Sequence, residues 1–317
     1  MNGKPSGPTV VPEAGLFTPD SVSWTVHADP SMILGGLRAL LLQALHPLAM
    51  AAVAQHSAFR EDPWGRLYRT AHFVGAVTYG NGGEVREAVQ RVRLIHEHVR
   101  GTDPETGRSY RADDPELLTW VHCAEVGSFL TVARRSGLAL GEAEADRYLA
   151  EQARVAHLVG VPQDFPVPTG VRELDAYMVA VRPLLRVTPA AREAMRFAVL
   201  PPLHGWARLA GPLRPAWAAL VGCAVGLLPP WARRMYGLPV CPATEPLVTA
   251  QARLLRQAAL RLPRSWREGP HLAAARRRHD PDLWTPPGEN VPGPVRTSKT
   301  RTSKARTSKA RENVRGP

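Results

Sequence analysis

The chain has 317 residues, of which 44% are hydrophobic, so it is long enough to bury a large core in one big domain or two smaller ones. Its formal net charge of +12 suggests nucleic-acid binding, but residues 296–317 contribute +7 of it (eight cationic side chains and one acidic), which leaves +5 for the rest. The isoelectric point of about 10.4 is therefore mainly a property of the tail, and we expect no specific nucleic-acid partner.

The cysteines and the N-terminal segment indicate in which cellular compartment we expect the protein. Cys123, Cys223 and Cys241 are odd in number and lack a CxxC spacing, which argues against a disulfide framework and against a structural zinc site. The first fifteen residues are rich in Gly and Pro and have no continuous apolar stretch typical of a signal peptide. We therefore expect a cytoplasmic protein.

The first long apolar segment is the one most easily mistaken for a membrane span. After an extended lead-in over residues 1–28, residues 31–55 are almost continuously apolar and long enough to cross a bilayer. The segment also contains Arg38, His46 and Pro47, and an arginine near mid-membrane costs about 3 kcal/mol. We predict a helix buried in protein and kinked near the proline, and no transmembrane span; a membrane-embedded helix is the alternative.

The remaining periodic segments are all helical in pattern. Helices are predicted over residues 63–79, 84–101, 114–135, 141–159, 171–185, 188–200 and 245–262, with a further apolar helix ending at Leu228. No segment shows sustained apolar–polar alternation, so the predicted class is all-α: a large single-domain helical bundle over residues 29–284.

Residues 285–317 have a composition that cannot form a core. They contain RTSKT followed by RTSKA twice, with no apolar side chain larger than valine in the repeats. We interpret them as a disordered basic tail that aids solubility; loose association with polyanions is the alternative.

His96 is the central candidate for a functional site. It lies on one face of the helix over residues 84–101 together with four valines (Val85, Val89, Val92 and Val99), whereas His98 points to the opposite side. A buried imidazole needs a partner for each ring nitrogen, or a metal on one of them. The pattern is consistent with a structural histidine or with a metal ligand.

The helix over residues 63–79 carries polar groups at one end of an apolar stripe. Arg66, Thr70, Phe73 and Val77 share a face, with Arg69 at its edge. A guanidinium in the core is costly unless a carboxylate or phosphate meets it, so this end could bind the acidic arm of a ligand. An arginine that reaches the surface or pairs with a glutamate is the alternative.

Three further histidines fall in apolar surroundings. His122 and Glu125 are three positions apart on an otherwise apolar helix face, and His46 and His56 lie in and just after the long apolar segment. A structural network explains each one alone. Polar groups that converge from four helices are more typical of a cofactor inside a helical bundle.

Of two metal centres that helical bundles hold, a di-iron carboxylate site and a haem b, the haem fits this pattern better. A di-iron carboxylate site needs two Glu-x-x-His pairs and two further glutamates, but only His122 and Glu125 are paired, and in reversed order. Haem b needs one axial histidine, an apolar pocket and cations for its propionates. His96, Arg66 and the apolar faces of their helices meet these needs better.

Several spaced motifs then resemble one family. They are LRALLLQALHPLAMAAVAQHSAFREDPWGRLYRTAHFVGAVTYG, HEHVRG, SYRADDPELLTWVHCAEVGSFL and LLPPWARRMYGLP, in that order from Leu37 onward. This set is similar to the MpaB-type oxygenases, which include the latex-clearing proteins or rubber oxygenases. The resemblance implies a globin-like helical core around a haem pocket, haem b as cofactor, and oxidation of carbon–carbon double bonds in isoprenoid chains by dioxygen.

The resemblance also implies roles for single residues. His96 matches the proximal haem ligand, and Arg66 and Thr70 match the arginine and threonine beside the haem, where we place the catalytic residues. Arg69 stands where rubber oxygenases have a lysine that caps the iron, and a guanidinium is a poor iron ligand. Residues 31–60 contain no acidic side chain to match the glutamate proposed as a base in that family.

The sequence thus leads to one hypothesis and three alternatives. The hypothesis is a haem b oxygenase with His96 as the metal ligand, Arg66 and Arg69 at the propionates, an apolar unsaturated substrate, and dioxygen. Further cofactor-binding candidates are Thr70, Phe73, His46, His56 and His122, with Leu45 in the pocket wall. The alternatives are a non-catalytic haem sensor or carrier, a di-iron helical oxidase, and a structural helical protein without a cofactor.

Overall fold

A computed structural model of the chain describes residues 10–200 and 214–279, which all fall within one compact unit, Met1–Pro281. Its class is all-α, as predicted, with one two-stranded sheet in the described part. The globin-like core and the domain limits at residues 28 and 284 stay predictions, and the basic tail lies outside the described residues. The elements are α1 Val22–Ala28, α2 Met32–Gln43, α3 Pro47–His56, α4 Pro63–Tyr79, α5 Gly82–His98, β1 Arg100–Thr102, β2 Ser109–Arg111, α6 Pro115–Arg135, α7 Glu142–Val159, α8 Val171–Ala180, a 3₁₀ turn Arg182–Leu184, α9 Pro189–Val199, α10 Arg214–Gly226, α11 Pro230–Met235, α12 Thr244–Leu260, α13 Arg264–Arg267 and α14 Pro270–His279.

Helices α2 and α6 form the centre of the bundle. They approach closely because Gly35 has no side chain: a Cβ at this position would lie 2.7 Å from a ring carbon of Phe129. The buried Trp120 of α6 donates its indole N–H to the Gln43 carbonyl at the end of α2, at 3.2 Å. Arg38 is also buried here and donates to the Ser128 hydroxyl and the Leu227 carbonyl.

The chain bends sharply between α2 and α3, as the sequence predicted near Pro47. The two helices lie 104° apart across a break of three residues, and Pro47 occupies the first turn of α3, where its missing N–H is not needed. Among the described residues no single helix is long and apolar enough to cross a bilayer, although this bent pair passes by length and composition when counted together.

Hydrogen bonds from capping side chains fix where helices α4 and α5 begin. Asp62 accepts a hydrogen bond from the Gly65 amide at 2.8 Å and starts α4, which has the predicted bounds. Asn81 and Glu84 form a reciprocal capping box at the start of α5. These caps determine which residues of α4, which carries Arg66, and of α5, which carries His96, face the interior.

Parts of the secondary-structure prediction were wrong. The segment expected to be an extended lead-in contains α1, capped by the Ser21 hydroxyl. The helix predicted to reach Gly101 ends at His98, and the following loop forms the antiparallel hairpin β1–β2 with Gly101 opposite Tyr110. The helix predicted over residues 171–185 ends at Ala180 and continues as the 3₁₀ turn.

Candidate functional site

An apolar cavity of about 300 Å³ lies between α2, α3, α4, the end of α5, α6, α9 and α10. This volume is within the range of small-molecule sites. Apart from two indoles, the polar side chains that the described residues contribute to its wall are those of Gln43, Arg66, Thr70 and His96. The other lining residues are Leu37, Leu40, Leu41, Ala44, Ala49, Met50, Ala52, Val53, Phe59, Pro63, Trp64, Leu67, Ala112, Leu117, Leu118, Val121, Ala194, Phe197, Ala198 and Trp217.

His96 lies in the last turn of α5 and lines this cavity. Its Nδ1 atom is buried and has no hydrogen-bond partner among the described residues. Burial lowers the pKa of the imidazole, so the neutral form, which can bind a metal, is favoured. His98, two positions later, is exposed and donates Nδ1–H to the Leu94 carbonyl at 2.7 Å. The opposite environments of the two histidines confirm the helical pattern.

Arg66 and Thr70 lie one turn apart on α4 and line the same cavity. The Arg66 guanidinium donates to the Ser57 hydroxyl at 2.6 Å and forms no ion pair with any described carboxylate. Burial, and secondarily the charge of Arg69, lowers the pKa of Arg66. The Thr70 hydroxyl donates to the Arg66 carbonyl at 3.1 Å. An unneutralised cation beside an apolar cavity favours an anionic group in the ligand.

Two predicted cofactor residues on the same helix lie elsewhere. Arg69 is exposed and pairs with Asp62 at 3.3 Å, so it is absent from the cavity wall. Phe73 packs in a separate cluster around Phe17 and Val77, beside the N-terminal segment. The apolar stripe of α4 thus meets the cavity at one end and the N-terminal segment at the other.

The three remaining predicted histidines do not line the cavity. His56 is exposed, with Nε2 3.1 Å from the Arg100 carbonyl. His46 is buried beside Trp120, and its Nδ1 atom has no partner among the described residues. The buried Nε2 atom of His122 also lacks a described partner. Burial lowers the pKa of both His46 and His122 to about 4.

Leu45, expected in the pocket wall, is fully buried in the cluster around Trp120 instead.

Sequence reasoning missed three residues that line the cavity. Trp64 of α4 and Trp217 of α10 both line it, with ring centroids 4.9 Å apart. Gln43 donates Nε2–H to the Val121 carbonyl at 3.1 Å. Burial raises the pKa of Glu125, which the sequence pattern paired with His122, to about 7. A glutamine at the end of an apolar helix was the one available signal.

The number of side chains available as metal ligands in the described part of the chain distinguishes a di-iron site from a haem site. Within residues 10–200 and 214–279, no three histidine, cysteine, aspartate or glutamate side chains converge in a metal-binding arrangement. A di-iron carboxylate site requires more such ligands than this, whereas haem iron requires a single axial side chain from the protein. The residues at the cavity therefore fit haem: one unbonded imidazole, one unpaired guanidinium and an apolar wall.

Comparison with known proteins gives one match. The family described as ER-bound oxygenase mpaB/B'/Rubber oxygenase, catalytic domain, matches residues 24–260, which include every element from α2 to α12. No curated protein and no solved structure matches the chain significantly.

Proposed function

Because this chain belongs to the family of the ER-bound oxygenases mpaB/B' and the rubber oxygenases, through their catalytic domain, we propose that it is a haem b-dependent oxygenase. Its substrate is an apolar, unsaturated small molecule of isoprenoid type, and its oxidant is dioxygen. The observation that carries the proposal is the shared cavity: an imidazole without a described partner and a guanidinium without a carboxylate lie on one apolar wall.

In this proposal each polar residue of the wall has a separate task. His96 binds the iron through one imidazole nitrogen, and Arg66 forms an ion pair with a propionate. Thr70, whose hydroxyl oxygen keeps a free acceptor position while it donates to Arg66, lies beside the reacting ligand. The bound haem would supply the iron at which dioxygen is activated.

The apolar residues of the wall select the substrate. Leucine, valine, alanine and phenylalanine side chains from α2, α3, α6 and α9 make up half of the described lining residues and present no hydrogen-bonding groups to a ligand. Such a surface binds a hydrocarbon chain by excluding water, at about 25 cal/mol per Å² of buried apolar area. Exclusion of water also protects reactive oxygen species from side reactions.

The proposal is tested by haem binding to two matched variants of α5. Wild-type protein supplemented with haem is expected to show a Soret band, His96→Ala to lose it, and His98→Ala, changed at an exposed position, to keep it. A wild-type protein without a Soret band would contradict the proposal, and so would a His96→Ala variant with an unchanged spectrum.

Oxygenase activity is tested separately from cofactor binding. The haem-loaded protein is expected to consume dioxygen in the presence of a short polyisoprene, with carbonyl products found by mass spectrometry. Haem binding without oxygen consumption on any unsaturated chain would instead favour the sensor or carrier.

A further inference from the structure

Helix α12 is apolar on two opposite faces. Ala252 is fully buried on the inner face, where Val248 and Leu255 pack beside it in a cluster formed with α2 and α10. Leu247 and Leu254 lie on the outer face, about two turns apart, and are 69% and 68% exposed. A helix with apolar residues all round normally has a neighbour on each side, and no described residue covers the outer face of α12.

The segment that follows α12 has the same character. Leu262 is 45% exposed, and Trp266 of α13 is 79% exposed, more than any other large hydrophobic side chain among the described residues. The Trp266 indole makes no ring contact with a described side chain, whereas the rings of Trp64 and Trp217 pack against each other. Large apolar side chains exposed together mark an interaction surface. We call this set, with the arginines described next, the α12–α13 surface: Leu247, Leu254, Leu262 and Trp266.

The α12–α13 surface is also strongly cationic. Residues 246–267 contain five arginines and no acidic side chain, whereas residues 1–245 contain 24 cationic and 23 acidic side chains. Arg256 lies on the inner side of α12 and pairs with Asp29 at 2.8 Å. The other four form no ion pair with a described carboxylate, and each stands within two residues of an exposed leucine or of the exposed indole; they are Arg253, Arg261, Arg264 and Arg267.

We propose that the α12–α13 surface binds the face of a lipid bilayer that contains anionic phospholipids. The Trp266 indole and the leucines enter the boundary between headgroups and acyl chains, where tryptophan is enriched. The four unpaired guanidinium groups bind the phosphates and carboxylates of the headgroups. The protein lies on the bilayer without crossing it, at the phase in which long apolar chains dissolve.

Two other occupants fit the surface less well. A nucleic acid would neutralise the arginines through its phosphates, but it would leave the exposed leucines against a charged backbone. A second copy of this chain, related by a two-fold axis, would place the arginines of one surface against those of the other. A bilayer offers negative headgroups and an apolar interior together, so it matches both properties of the surface.

Co-sedimentation with vesicles measures this docking in full-length, haem-free protein, because docking depends on neither haem nor the cavity. We expect binding to vesicles of two parts phosphatidylcholine and one part phosphatidylserine, and little binding to phosphatidylcholine alone. Raising the salt concentration from about 0.1 M to about 1 M should weaken binding, since the Debye length falls from about 10 Å to about 3 Å. Equal binding to both kinds of vesicle, or binding to neither, would overturn the proposal.

A pair of arginine substitutions tests the cationic half of the surface. Arg261→Gln/Arg264→Gln removes two of the four unpaired charges and should weaken binding about 30-fold, at roughly fivefold for each charge. Arg172→Gln/Arg192→Gln is the matched control: it removes the same charge at exposed positions of α8 and α9 and should leave binding nearly unchanged. Equal effects of the two pairs would mean that net charge rather than this surface attracts the vesicles, and the proposal would fail.

Trp266→Ser tests the apolar half of the surface. It should weaken vesicle binding roughly 10-fold, whereas Val179→Ser, changed at an exposed position of α8, should not. If Trp266→Ser bound vesicles as tightly as the wild type and a DNA duplex bound more tightly than the vesicles, the surface would belong to a nucleic acid. If the wild type bound no vesicles and Trp266→Ser dissociated a dimer in the ultracentrifuge, the surface would be a contact between copies. Either result would overturn the proposal, whether or not the protein binds haem.

Discussion

His96 and His98 are two positions apart and chemically different because a helix turns about 100° per residue. One ring lines the cavity with an unbonded nitrogen, and the other donates to Leu94 at the surface. The spacing of the valines was enough to predict which was which. What periodicity could not supply is the identity of the helices that the buried face meets.

Arg66 should decide how tightly a haem is held. Arg66→Ala removes the one guanidinium on the described cavity wall, and loss of a hydrogen bond to a charged group costs about 1.5–3 kcal/mol. We expect a roughly 10- to 100-fold faster loss of haem to apomyoglobin. Arg69→Ala is the matched control, because Arg69 is exposed and paired with Asp62. Equal effects of the two substitutions would place the propionates elsewhere.

The other predicted site residues show the limit of reading one helix at a time. Phe73 lies on the same stripe as Arg66, but about two turns later the stripe has already left the cavity for the cluster around Phe17. His122 and His46 are in apolar surroundings, as predicted, without lining the cavity. Burial can be predicted from sequence pattern, whereas convergence on one cavity depends on long-range packing.

At the scale of the elements, the contact between α2 and α6 can be tested at adjacent glycines. Gly35→Ala would place a Cβ 2.7 Å from the Phe129 ring and 3.3 Å from its Cα, so we expect destabilisation by about 1–3 kcal/mol. Gly36→Ala meets nothing within 4 Å and should stabilise the helix by up to about 1 kcal/mol.

Chemical denaturation of the two glycine variants gives the comparison directly. The expected result is a lower transition midpoint for Gly35→Ala and an equal or higher one for Gly36→Ala. If both variants behaved alike, the close approach of α2 to α6 would have to be abandoned.

Elements were predicted well where local chemistry determines them and poorly where distant contacts do. Asp62 with Pro63 fixed the start of α4, and Pro47 fixed the bend after α2. Hairpin β1–β2 gave no strand pattern, because it has three residues a side and is held by Tyr110, which donates to Gln55 of α3 at 2.8 Å. Helix α1 is similarly short and depends on burial of Trp24 between other helices.

At the scale of the whole molecule, buried histidines should make the fold sensitive to acid. Burial lowers the pKa of His27, His46 and His122 from 6.5 to about 4. The unfolded chain therefore binds more protons than the fold between these values, and the free energy of unfolding should fall as pH decreases from about 6.5 to about 4. Each histidine contributes at most on the order of 3 kcal/mol.

Glu125 opposes this trend, because its pKa in the fold is raised and its contribution is lost as pH rises from 4.5 to about 7. Between pH 4.5 and 6.5, where both effects operate, the three histidines change the free energy of unfolding more than the one carboxyl does. Urea unfolding measured across this pH range should show the net loss toward acid, and His122→Asn should reduce its slope. A stability that is flat between pH 4 and 6.5 would mean that these rings are solvated.

The indole pair of Trp64 and Trp217 gives the molecule a built-in optical reporter. The two rings are in edge contact on the cavity wall, so any coloured guest in that space lies within energy-transfer range of their emission. Intrinsic fluorescence should therefore decrease as the cavity fills, before any label is attached. Trp217→Phe should remove part of that quenching and so distinguish a guest in this cavity from one bound elsewhere on the surface.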